Sequence, residues 1–284
     1  SVLLGSGNGK YAAAVDYATR DGPSSVAVGD LNRDGWPDLA VANAGSFFGG
    51  DGTTLSVLMN AGDGTFAPRV DYGIGTAPSS VTVGDVNGDG NPDLVAANLK
   101  SYTVSVLLNK GDGTYGTGST YATGPKPRSV TIGDLNGDGK PDLVASNGDG
   151  GTGTTISVLM NSGNGTFMAK VDYGTGTNPC SVAIGDLNGD GKPDLAVANY
   201  GSNSLSLLWN QGNGTFGGKV DLPTGPDPQS VTIGDLNGDG KPDLAVANYR
   251  RGRSSILLGN GDGSFGPAFS HGVDGGPSSI VAAD

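Results

Sequence analysis

The sequence contains no glutamate: all 28 of its acidic residues are aspartate. Glutamate supports helices, whereas aspartate favours turns and short-reach ligation, so the omission argues against a helical protein. Cysteine is as scarce. Cys180 is the only one, which excludes an internal disulfide framework. Its place in the repeat is held elsewhere by Ser24 and Ser79, so it reads as a small buried or turn residue rather than a reactive thiol. One histidine, His271, leaves a single candidate base for any Ser-His-Asp or Cys-His arrangement. It is read as an exposed fourth-strand residue, at a position held by Asp16, Asp71 and Asp172 in other repeats. No apolar run approaches the ~20 residues of a membrane span. Residues 1–5 carry no basic stretch leading into an apolar one, so no signal peptide is read. A net charge of −12 removes the basic face that nucleic acid requires.

What is abundant is punctuation: 53 glycines and 16 prolines in 284 residues suit many short strands and turns. The punctuation is periodic. Asp30-Leu-Asn-Arg-Asp-Gly-Trp-Pro-Asp38 recurs over 85–93, 134–142, 186–194 and 235–243, the first Asp advancing by 55, 49, 52 and 49 residues. Another advance of 49 reaches Asp284, the first residue of a sixth motif, and residues 1–9 match 105–113 in the middle of a repeat. The chain reads as an in-phase stretch of a repeat array. It divides into a partial repeat 1–20, full repeats at about 21–75, 76–124, 125–176, 177–225 and 226–274, and a partial repeat 275–284, all within one domain.

Each repeat predicts four short strands; in the second they fall at 80–84, 92–98, 104–109 and about 119–123. Strand two, as in Leu195-Ala-Val-Ala198, is apolar on both faces, which implies a sheet sandwiched between neighbours. A Gly-Asn/Asp-Gly turn after strand three leads into one aromatic per repeat, Tyr11, Phe66, Tyr115, Phe167, Phe216 and Phe265, read as inter-sheet packing. Four antiparallel strands repeated every ~50 residues define an all-β propeller, here with six blade-equivalents, one incomplete, in preference to an open solenoid. Joined ends would close a six-bladed ring lacking one strand, with 1–19 giving strands three and four and 277–284 strand one.

The motif places oxygen-bearing side chains at positions 1, 3, 5 and 9, a glycine at 6 for the sharp turn, and a backbone carbonyl at 7, as in the first half of an EF-hand loop. Hard oxygen donors without His or Cys select Ca²⁺, and Mg²⁺ is disfavoured by its small, water-rich octahedral shell. Five Ca²⁺ sites follow: Asp30, Asn32, Asp34, Trp36 and Asp38; Asp85, Asn87, Asp89, Asn91 and Asp93; Asp134, Asn136, Asp138, Lys140 and Asp142; Asp186, Asn188, Asp190, Lys192 and Asp194; Asp235, Asn237, Asp239, Lys241 and Asp243. The bland alternative, a polar turn that binds nothing, must crowd three carboxylates into one hairpin without a counter-ion. These loops hold 15 of the 28 Asp, leaving 13 against 16 Lys and Arg, so the acidity belongs to the motif and not to the general surface.

With its Asp-x-Asn-x-Asp-Gly-x-Pro-Asp loops and its Phe-Gly turns at Phe216 and Phe265, essentially the whole chain resembles the FG-GAP (VCBS-type) repeats of integrin α-chain propellers and bacterial extracellular proteins. The resemblance implies a calcium loop joining the first two strands of each blade, and a place outside the cell or on its surface. No catalytic pair is legible: the spare Asp are scattered, and no Gly-x-Gly precedes a helix. A non-catalytic, lectin-like or adhesive role is expected. Its carbohydrate or protein ligand would meet the variable loops opposite the calcium end, with Phe47, Phe48, Tyr200, Tyr249, Arg250, Arg251 and Arg253 as contacts. A glycan-active enzyme, or a structural spacer of a large surface protein, is the alternative.

Overall fold

The computed structural model describes residues 1–46, 50–148, 151–250 and 252–282. These form five sheets of four antiparallel strands, each in simple chain order. The first blade comprises β1 (Pro23–Gly29), β2 (Asp38–Asn43), β3 (Thr54–Leu58) and β4 (Val70–Gly73). The second comprises β5 (Pro78–Gly84), β6 (Asp93–Asn98), β7 (Thr103–Leu107) and β8 (Ser119–Ala122). In the third are β9 (Pro127–Gly133), β10 (Asp142–Asn147), β11 (Thr155–Leu159) and β12 (Val171–Gly174). The fourth has β13 (Pro179–Gly185), β14 (Asp194–Asn199), β15 (Ser204–Asn210) and β16 (Phe216–Pro223). The fifth has β17 (Pro228–Gly234), β18 (Asp243–Asn248), β19 (Arg253–Leu257) and β20 (Phe269–Gly272).

Neighbouring blades meet through their first strands, β1 against β5, β5 against β9, and so on to β17. This close approach is why glycine ends each first strand. A Cβ on Gly133 would stand 2.9 Å from Ile184 Cδ1, and one on Gly84 3.1 Å from Ile132 Cδ1. Second strands are buried along their whole length in blades two to five, as expected for sheets covered on both faces. Each first strand carries a bulge after its proline, which leaves one residue unpaired and turns its side chain toward the next blade. Ser24 Oγ thus donates to Pro78 O and Ser79 Oγ to Pro127 O, at 2.6 and 2.7 Å. Cys180 takes the same role, its Sγ 3.1 Å from Pro228 O, and burial pushes its thiol up to about 11. Its position makes it an inter-blade packing residue.

The turn aromatics pack between blades as the sequence implies. Tyr115, Phe167 and Phe216 each meet a tyrosine from the preceding fourth strand edge-to-face, and Phe66 meets Tyr17 of the N-terminal segment in the same way, at centroid separations of 5.2–5.3 Å. The register corrects one assignment. His271 lies opposite Ser254, the place Tyr72 occupies opposite Leu55, whereas the aspartate position of β20 is held by Ser270. Residues 1–19 form a loose hairpin bridged at Val2–Val15 and Gly5–Tyr11, and Tyr17 packs on Phe66 in the usual manner. At the other end, Ile280 N donates to Ser230 Oγ, as Val81 N does to Ser25 Oγ. The joining of these ends that a closed six-bladed ring would need is not seen among the described residues. No ladder connects 277–282 with 1–19, and Val26 and Val28 are 59% and 61% exposed where Val81 is 6%.

Candidate functional site: the Asp-rich hairpins and the loops opposite

Each Asp-x-Asn-x-Asp-Gly segment is the hairpin between a blade's first and second strands, and backbone N–H groups line its inside. The position-1 aspartate is the hub. In every loop one of its oxygens accepts the N–H of the position-6 glycine at 2.8–2.9 Å, while the other accepts from position 4 or 5. The position-3 asparagine accepts from position 5. The position-5 aspartate accepts from position 7. Glycine at position 6 makes the turn possible, with φ of 79–89° across the five loops.

Position 9 behaves differently. Asp38, Asp93, Asp142, Asp194 and Asp243 are fully buried. In each, Oδ2 accepts the position-2 N–H, and Oδ1 accepts the N–H of the residue just beyond strand three or at its end (Asn60, Asn109, Asn161, Asn210 or Gly259), at 2.7–3.1 Å throughout. These carboxylates tie the hairpin to the neighbouring strand, a duty invisible to a ligand-spacing argument. Burial pushes the carboxyls of Asp38, Asp142 and Asp194 up, and that of Asp93 up to about 6; the two N–H donors oppose the shift, while repulsion from positions 5 and 1 adds to it. Asp138, at an exposed position 5, is held below the usual range, foremost by the Lys140 backbone N–H.

The position-7 side chains lie over the first glycine of the same blade's strand three-to-four turn. Trp36 covers Gly62, Lys140 covers Gly163, Lys192 covers Gly212 and Lys241 covers Gly261. Trp36 is half exposed at this end, as its place in the loop implies. Lys140 and Lys192 also return to Asp138 and Asp190 at 3.4 and 3.1 Å, so two loops already carry an ammonium beside position 5. A second contact missed in the sequence crosses between blades. The amides of Asn109, Asn161 and Asn210 donate to the position-2 carbonyls Leu31, Val86 and Leu135 of the preceding loop, at 2.7–2.8 Å. The asparagine two residues before the Gly-x-Gly in four repeats (Asn60, Asn109, Asn161 and Asn210) was the available signal.

The hairpins offer a chemically suitable donor set for a hard cation: side-chain oxygens only, with spare lone pairs, around carboxylates whose buried charge the backbone only partly compensates. As they stand, no three carboxylates among the described residues are gathered at metal-holding separation.

At the opposite end, Tyr200 and Tyr249 occupy one repeat position and donate their N–H groups to Asn178 O and Asp227 O. Tyr200 packs partly into the core, whereas Tyr249 is 52% exposed beside Gly276. Arg250 pairs with Asp227 at 2.9 Å and Arg253 reaches Ser270 Oγ at 3.2 Å. Tyr249 and Arg250 thus share Asp227 as a partner, while Tyr200 and Arg253 make other contacts. Phe47, Phe48 and Arg251 lie outside the described residues, as does Asp284.

Repeated four-stranded antiparallel sheets packed through their first strands define a β-propeller. Within that class the chain belongs to the FG-GAP repeat family: the FG-GAP-like repeat model matches 46–96, 85–145, 140–197, 186–246 and 235–284, and the FG-GAP repeat model matches 22–58. Solved structures of similar fold include an Agrocybe aegerita lectin studied for specific recognition of non-reducing terminal N-acetylglucosamine (19% identity, 96% of this chain and 74% of that one, TM-score 0.62). A Lactobacillus plantarum protein is similar at 17% identity over 92% of this chain and 74% of that one, TM-score 0.64. Virginiamycin B lyase from Staphylococcus aureus is similar at 12% identity over 89% and 85%, TM-score 0.52. At such identities the likeness is one of fold. Comparison with curated proteins gives no match.

Proposed function

We propose that this chain is a calcium-binding, non-catalytic propeller acting outside the cell or at its surface, where it binds a carbohydrate or protein ligand through the loops opposite the Asp-rich hairpins. The observation that carries the calcium reading is the five-fold recurrence of one oxygen-lined hairpin, with the carboxyls of Asp38, Asp93, Asp142 and Asp194 raised by burial and by repulsion from positions 5 and 1. The aspartates at positions 1, 5 and 9, the asparagine at 3 and the carbonyl at 7 would hold the ion. When bound, it supplies neutralising charge and cross-links the hairpin. Millimolar extracellular calcium and the family's usual setting support the location.

Calcium uptake by EDTA-stripped protein, read by isothermal titration, tests this directly; no uptake at millimolar calcium sinks it. The ligand reading draws on variable loops over a repetitive scaffold and on the fold shared with a lectin. Glycan and peptide arrays probed with and without calcium check it. Polysaccharide turnover by this chain alone, abolished by an Asp→Ala change in those loops, would overturn the non-catalytic assignment.

A further inference from the structure

The four junctions between complete blades share a device at the end opposite the Asp-rich hairpins. A glycine in the connection from strand four to the next strand one (Gly75, Gly124, Gly176, Gly225) lies on the asparagine that ends the next blade's second strand. A Cβ there would stand 2.5–2.8 Å from the amide of Asn98, Asn147, Asn199 or Asn248. The same glycine donates its N–H to Ser105, Ser157, Ser206 or Ser255 at 2.9–3.3 Å, which seals the connection over the amide.

Ahead of blade one, three residues before Pro23 as Gly75 is three before Pro78, the residue is Arg20. A side chain cannot occupy that contact, and the Arg20 guanidinium turns outward to Asp71, Nε to Oδ2 2.6 Å. Beside Asn43 this leaves an open pocket of about 390 Å³, lined also by Asp21, Asp51, Thr53 and Thr54. Asn43 is 1% exposed. Its Nδ2 donates to Thr54 and Ser56, while its Oδ1 meets no donor. The same oxygen is unpartnered in Asn98, Asn147 and Asn199, but there the glycine closes over the amide.

We propose that this pocket binds one hydroxyl-rich unit, a monosaccharide or the terminal residue of a glycan; the inference rests on the carbohydrate reading above. Every lining residue among the described ones is polar or glycine, which disfavours an apolar ligand. Asp21 and Asp51 disfavour an anion. Asp51 is paired with Lys100 at 2.7 Å and Arg20 with Asp71, so recognition falls to hydrogen bonds rather than net charge. Sugar hydroxyls donate and accept at once, matching the carboxylates and the threonine hydroxyls that line the pocket. The volume lies within the ~300–1,000 Å³ usual for small-molecule sites.

The test titrates glucose, galactose and N-acetylglucosamine, with n-butylamine as charged comparator, into wild type, Arg20→Gly and Asp21→Ala, alongside a glycan array for all three proteins. Arg20→Gly restores the repeat's own residue, which at the other junctions lies against the asparagine amide, and should let the connection close over Asn43. Both residues are exposed, and far-UV circular dichroism confirms that the variants fold. At least one sugar should bind wild type, and both variants should lose about tenfold or more in affinity, the worth of roughly 1.4 kcal/mol. Unchanged affinity in both variants, or array binding without any monosaccharide binding, overturns the pocket while leaving the carbohydrate reading intact. Butylamine binding in place of the sugars overturns the ligand class. No binding in either assay overturns the carbohydrate reading and the pocket together.

Discussion

Aspartates that look equivalent in the repeat do two different jobs. Asp194 is buried and holds two backbone N–H groups, Leu187 of its own hairpin and Asn210 at the end of β15. Asp190, at the exposed position 5, holds only its own turn, with Lys192 beside it. Asp194→Asn turns an amide NH₂ toward one of those buried donors, and leaving a buried donor unsatisfied costs ~1–3 kcal/mol. The loss should appear in urea denaturation even in EDTA, whereas Asp190→Asn should weaken calcium binding yet leave the EDTA midpoint nearly unmoved. Equal effects of the two variants in EDTA would erase the distinction. Spacing marked both residues as ligands, because a nine-residue motif contains no information about which N–H groups the closing acid will meet. Glycine has a comparable division of labour. Gly124→Ala would set a Cβ 2.5 Å from Asn147 Nδ2, and overpacking of this kind costs ~1–3 kcal/mol. A melting temperature equal to wild type would show that the connection relaxes.

Between elements, the asparagine clips bind the first three hairpins to the following blade. Asn161 Nδ2 is shared between Val86 O of blade two and Pro141 O of its own, both at 2.8 Å. Asn161→Ala orphans both carbonyls, and should cost ~1–3 kcal/mol. Hydrogen exchange should rise at the junction of blades two and three before it rises elsewhere. Uniform exchange across all five blades would mean the clip carries no local cohesion. Strand existence and order were legible from periodicity, and the bounds of the second repeat agree with β5–β8 to within two residues at each end. The clips were not legible, since their partners lie 75–78 residues apart in the chain. His271 was misplaced by one residue for a related reason: fourth strands are short and exposed, so their pattern does not fix the register.

For the whole molecule, calcium at the proposed sites would act by mass action. One site at a hundredfold excess over its Kd adds about 2.7 kcal/mol, so chelation should lower the melting temperature markedly. An unchanged melting curve in EDTA would sink the calcium reading. Protons should act in opposite directions on the two forms. In the metal-free protein, Asp93 at about 6 and the raised Asp38, Asp142 and Asp194 take up protons more readily folded than unfolded. Folded protein then binds more protons between the ordinary carboxyl range and about 6, and this stability is lost as pH rises through that value. Metal-free protein should therefore show a higher urea midpoint at about pH 5 than at about pH 7.5, and calcium-loaded protein the reverse, because the cation needs its ligands deprotonated. A metal-free midpoint flat across that range would show that these buried carboxylates do not titrate there.

By itself the sequence determined the repeat, its four strands and the placing of the Asp-rich turn between the first two. Each is a local consequence of side-chain alternation, glycine's conformational freedom and the short reach of Asp and Asn. Only the tertiary structure decided which oxygens the backbone already claims, which asparagine crosses to the neighbouring blade, and where Arg20 leaves a pocket open over Asn43. Those depend on groups brought together from different blades, at distances of a few ångströms that no pattern along the chain encodes.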